Sequence, residues 1–325
     1  MTFSIVIPTY NRRHLLGDAI ESALAQGGDG IGDIEVLVVD DGSTDGTLEW
    51  LAETYAGKPV RGLRNQRRKG PAGGRNTGIL AARGELVALL DSDDRFLPNH
   101  LADAARAFAA LPEVDAVFGP ARYERNGVPD DYMGPNYRRK LAQAPVQRRI
   151  DGATAYAPSY FDHLLEYGCY FNLSSVVLRA GAARELMNEA LRIAEDYEFW
   201  VRLARTHRFA SLEAPQIRYM LHDDNISFEA DASVEQHAPK QLDAYGFMLA
   251  YPGLTATQRR TIEQQMAGVL FDWGYRCRQR GMWGQALRLH WRSLRLGMAA
   301  RNLAAIAKLP VAAVAGAGAP RDKGA

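Results

Sequence analysis

Ser4-Ile5-Val6-Ile7-Pro8-Thr9-Tyr10-Asn11 opens the chain as a short β-branched apolar run that stops at a proline and polar turn residues. That is the pattern of a buried strand handing over to a loop. It returns near 34–40, 60–65, 85–91 and 114–119, with helical patterns between the runs at about 13–26, 45–55, 74–83 and 98–110. Asp45 or Ser43 is the expected cap of the second helix. Strands alternating with helices predict an α/β fold, a doubly wound, mostly parallel sheet with helices on both faces.

Residues 120–160, rich in Pro, Gly, Tyr and Arg, lose this rhythm and read as a long loop. Apolar character returns at Tyr170–Leu178 as another strand, followed by a helix to about residue 191 and a second helix from about Glu195. Residues 232–308 read as almost wholly helical, and the Ala- and Gly-rich 310–325 as a mobile tail.

The 325 residues are 47% hydrophobic and 24% charged, enough for one large domain and an appendage. A formal net charge of +1 removes any whole-chain electrostatic case for nucleic acid. Cys169 and Cys277 are too few for a disulfide framework or a thiolate zinc site, which fits a reducing compartment. The N-terminus reads as a strand rather than a signal segment, and no run of about 18 apolar residues occurs. The expected location is therefore cytoplasmic, with attachment to a membrane surface left open.

In open parallel sheets the ligand site lies past the carboxyl ends of the strands. Here those ends read Pro8-Thr9-Tyr10-Asn11, Asp40-Asp41-Gly42-Ser43 and Asp91-Ser92-Asp93-Asp94. Five carboxylates on one rim repel unless a cation balances them, and magnesium or manganese on one or two carboxylates plus substrate phosphates would do so. At a strand end Asp91 and Asp93 would point one way and Ser92 the other, with Asp93 the first choice of ligand. Aspartate also ends strands and caps helices, so Asp94 reads as a cap of the next helix. Gly70-Pro71-Ala72-Gly73-Gly74-Arg75-Asn76 approaches a helix in a way that could offer amides and a guanidinium to a diphosphate, or could be only a turn. It has neither P-loop nor dinucleotide-fingerprint spacing. Glu195-Asp196 opens a helix, where an acid favours the dipole and can also serve as a general base.

Taken in order, Ser4–Asn11, Val38–Asp45, Arg75-Asn76-Thr77-Gly78-Ile79, Leu90–Asp94 and Glu195-Asp196 resemble the inverting family 2 glycosyltransferases, over about residues 1–225. The resemblance implies a GT-A catalytic domain at 1–225, with a nucleotide-sugar half at about 1–119 and an acceptor half at about 120–225. A helical region at 226–310 and a flexible tail at 311–325 would follow. It implies a nucleotide-sugar site of Thr9, Tyr10, Asn11, Asp40, Asp41, Arg75, Asn76, Asp91 and Ser92, with Asp41 on a uracil-like base. It further implies Mn2+ or Mg2+ on Asp93 and Asp91, with His222 as a third ligand, and Asp196 as the general base. The reaction implied is a single displacement from a UDP-sugar to a glycan or lipid-linked acceptor hydroxyl. The Gln-x-x-Arg-Trp motif of polymerising relatives is missing, which favours transfer of one sugar. A noncatalytic sugar-nucleotide binder and a sugar nucleotidyltransferase are the rival readings.

Between Trp273 and Arg321 stand nine Lys or Arg and no Asp or Glu. With Trp273, Trp283 and Trp291 alongside, this suits a surface meeting anionic lipid, or equally a helical bundle with a solvated basic face.

Overall fold

The computed structural model describes residues 1–125, 127–131, 133–221 and 233–309. The chain divides between residues 225 and 226 into two compact units. In chain order the strands of the first are β1 (Phe3–Thr9), β2 (Ile34–Asp40), β3 (Val60–Arg64), β4 (Leu86–Leu89), β5 (Arg95–Phe96), β6 (Ala116–Phe118), β7 (Ala121–Arg125), β8 (Val128–Pro129), β9 (Val146–Ile150), β10 (Ala153–Tyr156), β11 (Val177–Arg179), β12 (Phe209–Leu212) and β13 (Ile217–Leu221). Between them run α1 (Arg13–Leu24), α2 (Thr47–Thr54), α3 (Pro71–Ala81), α4 (His100–Ala110), α5 (Gly134–Leu141), α6 (Tyr160–Tyr167), α7 (Ala180–Ala183) and α8 (Glu195–Leu203).

Among the described residues the main sheet has nine strands in the order β3-β2-β1-β4-β11-β6-β12-β10-β9. The first four pair in parallel; β1, β2 and β4 are apolar runs buried on both faces, while β3 is the half-exposed edge strand. Only β11 and β10 run against the rest, so the sheet is mostly parallel, as expected. A second sheet, β5-β13-β7-β8, flanks it. Ile5, Ile7, Val36, Val38 and Ala88 of the sheet bury themselves with Leu16, Ile20 and Phe108 of α1 and α4. Each large apolar side chain so buried contributes about 2 kcal/mol.

The glycines of α3 set how closely it rides on the sheet. A Cβ at Gly78 would stand 2.3 Å from Val6 Cγ1, and one at Gly73 would stand 1.9 Å from the Arg68 carbonyl oxygen. Gly78 therefore serves close helix-on-strand packing, and Gly73 the close approach of the preceding loop to the first turn of α3.

Several expectations need correction. Residues 120–160 are not one loop: they hold β7, β8, α5, β9 and β10. Short, polar edge strands such as Val146–Ile150, with exposed Arg148 and Arg149, carry no apolar alternation to betray them. The strand expected at Tyr170–Leu178 forms only as Val177–Arg179, after a 3-10 turn at Leu173–Ser175. The helix expected to reach residue 191 ends at Ala183. Gly46, with positive φ, stands at the N-cap of α2, while Asp45 accepts from the Arg13 amide and the Thr47 hydroxyl. Asn99, not Asp94, precedes α4.

The second unit is helical among its described residues: α9 (Ser233–Leu249), α10 (Ala256–Gln279), α11 (Trp283–Leu296) and α12 (Ala299–Ile306). Thr255 and Gln258 close a capping box on α10. Leu270, Cys277, Ala286 and Leu289 form its core, with Trp273 and Trp283 packed against it. No described helix is long and apolar enough to cross a membrane.

Candidate active site

The parallel register sets Thr9 beside Asp40 and Asp40 beside Arg64, so the carboxyl ends of β1, β2 and β3 form one edge. On that edge Asp40 turns back on the backbone and accepts from the amides of Gly42 and Ser43 at 3.1–3.2 Å. Its carboxylate shapes the loop, which is the aspartate turn chemistry of a strand end. Asp41 spans two segments, accepting Asn65 Nδ2 at 2.6 Å and the Gly70 amide at 2.8 Å. It thereby takes one of the amides at the start of α3 that the glycine-rich approach was expected to hold out to a diphosphate.

Asn11 is left-handed at φ 52°, a conformation asparagine tolerates, and its side chain accepts from the Thr44 amide at 2.8 Å. This clamp holds the first two strand-end loops together. Tyr10 is 46% exposed and carries Lys69 Nζ 4.2 Å from its ring centre, so an aromatic face stands open with a cation on it. Thr9 is buried, and its hydroxyl has no partner. A buried orphan hydroxyl costs stability unless something pairs with it.

The acidic cluster lies in a turn past the end of β4. The Asp94 amide donates to the Asp91 carbonyl oxygen at 3.1 Å, so the alternation of a strand does not extend through it. Its carboxylates instead meet partners from different elements. Asp91 accepts Arg75 at 2.6 Å, and Asp93 accepts Arg12 at 2.5 Å. Asp94 is buried, takes the Ser174 hydroxyl at 2.5 Å and the Met220 amide, and is pushed well up by burial and by the charges of Asp91 and Asp93. Ser92 is buried among them. The Ser174 oxygen also accepts the Asp91 amide at 3.1 Å, so one hydroxyl braces both ends of the turn.

Arg75 joins this cluster to α8. Its guanidinium donates to Asp91 at 2.6 Å and to Glu195 at 3.0 Å, and the side chain is only 6% exposed. Burial opposes its charge, but Asp91 and Glu195 outweigh burial and hold the proton more tightly than usual. The next residue, Asp196, accepts the Tyr197 amide at 2.7 Å. Its pKa is raised to about 6, first by burial and then by Glu195, with Asp91 adding to the effect and Arg75 opposing it. Ala194, immediately before α8, is left-handed at φ 61°. A non-glycine residue held there stores strain, and strain of this kind gathers where a side chain must be aimed.

Asn76 is fully buried and uses its amide on the Met187 backbone and Glu189, pinning the segment before α8. Its place is structural; a role on the nucleotide would need those bonds broken. His222 lies outside the described residues. Arg12 and Ser174 meet the acidic turn and escaped the sequence reading, while Glu195, legible there only as an acid opening a helix, turns out to pair with Arg75. A lone arginine in a loop and a serine in a 3-10 turn have no distinctive pattern of their own.

Asp91 and Asp93, with the raised Asp94 behind them, form a crowded anionic turn whose two outer carboxylates already bind cations, in the form of arginines. That chemistry fits a hard divalent ion shared with phosphate oxygens. Among the described residues no three His, Cys, Asp or Glu gather into a complete cage. Two carboxylates, substrate oxygens and water would make up the shell.

Residues 4–163 match the family model described as Glycosyl transferase family 2. Over 239 residues the chain is 30% identical to the chondroitin synthase of Escherichia coli, covering 72% of this chain and 31% of that one. This chain spans a third or less of the first curated relatives it matches. The structure resembles S. aureus TarS 1-349 in complex with UDP-GlcNAc at a TM-score of 0.60 and 19% identity, over 94% of this chain and 89% of that one. It also resembles the mannosyltransferase PcManGT from Pyrobaculum calidifontis in complex with GDP-Man and Mn2+, at 0.55 and 17%, over 94% and 78%. At these identities the structural likeness concerns the fold.

Proposed function

Because the chain belongs to glycosyl transferase family 2 and has a GT-A fold, we propose that it moves one sugar from a nucleoside-diphosphate sugar to an acceptor hydroxyl. The donor is a UDP-sugar by preference, and the acceptor a glycan or lipid-linked saccharide. The observation that supports the reading is Arg75, which pairs with Asp91 of the strand-end cluster and with Glu195, the chain neighbour of Asp196. Residues from about 1–119 supply the donor half and those from about 120–225 the acceptor half.

Thr9, Tyr10 and Asp41 take the base, the orphan Thr9 hydroxyl gaining the partner it lacks. Asp91 and Ser92 face the ribose and diphosphate. Asp93 and Asp91, with His222, would hold a divalent cation, Mn2+ or Mg2+, which would supply Lewis acidity for loss of the diphosphate. Asp196, poised at about 6, is ionised near neutral pH yet basic enough to take a proton. It accepts the proton of the acceptor hydroxyl while that oxygen bonds to the anomeric carbon and the bond to the diphosphate breaks. Attack from the opposite face inverts the configuration. Glu195 and Arg75 keep the helix start, and with it Asp196, in place. The missing Gln-x-x-Arg-Trp motif favours transfer of one sugar per encounter. We also assign to the exposed stripe Arg288, Trp291, Arg292 and Arg295 of α11 a contact with anionic lipid on the cytoplasmic face.

Thermal unfolding with a panel of nucleotide sugars, each with Mn2+ or with EDTA, tests the donor site. One nucleotide sugar at about a hundred times its Kd should add about 2.7 kcal/mol with Mn2+ and much less with EDTA. Stabilisation by none of the panel would sink the reading, and equal stabilisation in EDTA would remove the metal from it.

A further inference from the structure

Apart from the acidic edge, the first unit contains a cavity of about 580 Å³ among α5, β7, β10 and β12. Its size is that of small-molecule sites. Three phenols line it, from Tyr123, Tyr137 and Tyr156, together with the guanidiniums of Arg138 and Arg149 and the carboxylate of Glu213. Tyr137 is 8% exposed, and its hydroxyl is buried with no partner. Tyr156 shares a hydrogen bond with Ser211 at 2.5 Å, and Arg138 pairs with Asp131 at 2.8 Å. The lining thus offers the partly exposed Tyr123 ring with donors and acceptors, the two arginines standing with Asp131 and Glu213.

The cavity is tied to the chemistry. The Tyr123 hydroxyl donates to Asn172 at 2.7 Å, and the turn that follows brings Ser174 to Asp94 and to the Asp91 amide. The charge of Asp94 is felt at Tyr123, whose hydroxyl is held protonated first by burial and then by that neighbour. Tyr123 therefore stands between the cavity and the acidic turn.

We propose that this cavity is a subsite for the acceptor, taking an uncharged pyranose ring of a glycan chain at a distance from the hydroxyl that reacts. The inference rests on the transferase reading for its purpose and on the cavity alone for its existence. Pyranose rings suit such a lining because their C–H faces stack on aromatic rings while their hydroxyls both donate and accept. A charged ligand would leave one pair of side chains against like charge. The Tyr137 hydroxyl has no partner in the free protein, and a ring hydroxyl reaching it would supply one.

Two variants separate binding from folding. Tyr137→Phe removes a hydroxyl that bonds to nothing in the free protein, so its Tm should stay the same or rise. Ala142→Trp places an indole at the exposed rim of the cavity, away from the acidic edge. Saturation-transfer NMR on the full chain, with mono- and tetrasaccharides of glucose, galactose and N-acetylglucosamine, should show a tetrasaccharide bound by the wild type. Tyr137→Phe should weaken it about tenfold, and Ala142→Trp should abolish it, while both variants keep wild-type hydrolysis of the donor. Binding of no saccharide in the set, or binding unchanged in Ala142→Trp, overturns the subsite. Saccharide binding that responds as stated in a chain that hydrolyses no nucleotide sugar keeps the subsite and overturns the transferase reading instead.

Discussion

Replacing Asp196 by Asn should stop transfer and, at neutral pH, make the protein more stable. The carboxyl is moved from the ordinary 3.8 to about 6, first by burial and then by Glu195. The sign follows from linkage. A raised carboxyl pKa means that the folded state binds the proton more tightly, so the ionised form carries a penalty that is absent below the unfolded pKa and complete above the folded one. From 3.8 to about 6 the full penalty is about 3 kcal/mol. Asp196 is partly exposed, so water screens it and about 1–2 kcal/mol is the working expectation. Asn is neutral and its side-chain oxygen can still accept the Tyr197 amide, so the helix start is kept. Urea unfolding at pH 7.5 should place Asp196→Asn above the wild type by that amount, and at pH 4 the gap should close. Transfer by the variant should fall by at least about a hundredfold, while the wild-type kcat/KM should drop about tenfold for each pH unit below 6. A variant less stable than the wild type at pH 7.5, or a gap that ignores pH, would refute the assignment of a strained, poised base.

Two further outcomes test the surrounding frame. Arg75→Met leaves Asp91 and Glu195 without the charge between them, and breaking a buried pair costs about 3–5 kcal/mol; Glu195→Gln in the same chain should recover part of it, and a urea-measured loss under about 1 kcal/mol would deny Arg75 its bridging place. Reversing Arg288, Arg292 and Arg295 to Glu removes about 1 kcal/mol of lipid attraction per residue before any repulsion; co-sedimentation with vesicles rich in phosphatidylglycerol should fall more than a hundredfold, and unchanged binding would leave α11 a solvated basic face.

The inner parallel strands β1, β2 and β4 were legible in the sequence because they are buried on both faces. Ile5, Val36 and Ala88 have only apolar neighbours to satisfy, so period and composition reveal them. The acidic turn was legible too, since Asp is costly in such number without a purpose. Residues 120–160 were not, because β9 and β10 close an edge whose outer strand faces water, and an exposed strand is free to be Gln147, Arg148 and Arg149.

What the sequence by itself determined was local: the strand-helix rhythm, the loops at strand ends, and the acids available there. Which acid does what was decided by contacts between distant parts of the chain. Asp40 and Asn76 read as ligand contacts in sequence but turn their polar atoms onto backbone and neighbouring side chains. Arg12 gained its place only because the β1 loop folds onto Asp93, and Asp94 was raised only by burial beside Asp91 and Asp93. Asp91 and Glu195 stand far apart in the chain and converge on one guanidinium. No periodicity encodes that meeting, because the free energy of a buried charge depends on what the completed fold puts next to it.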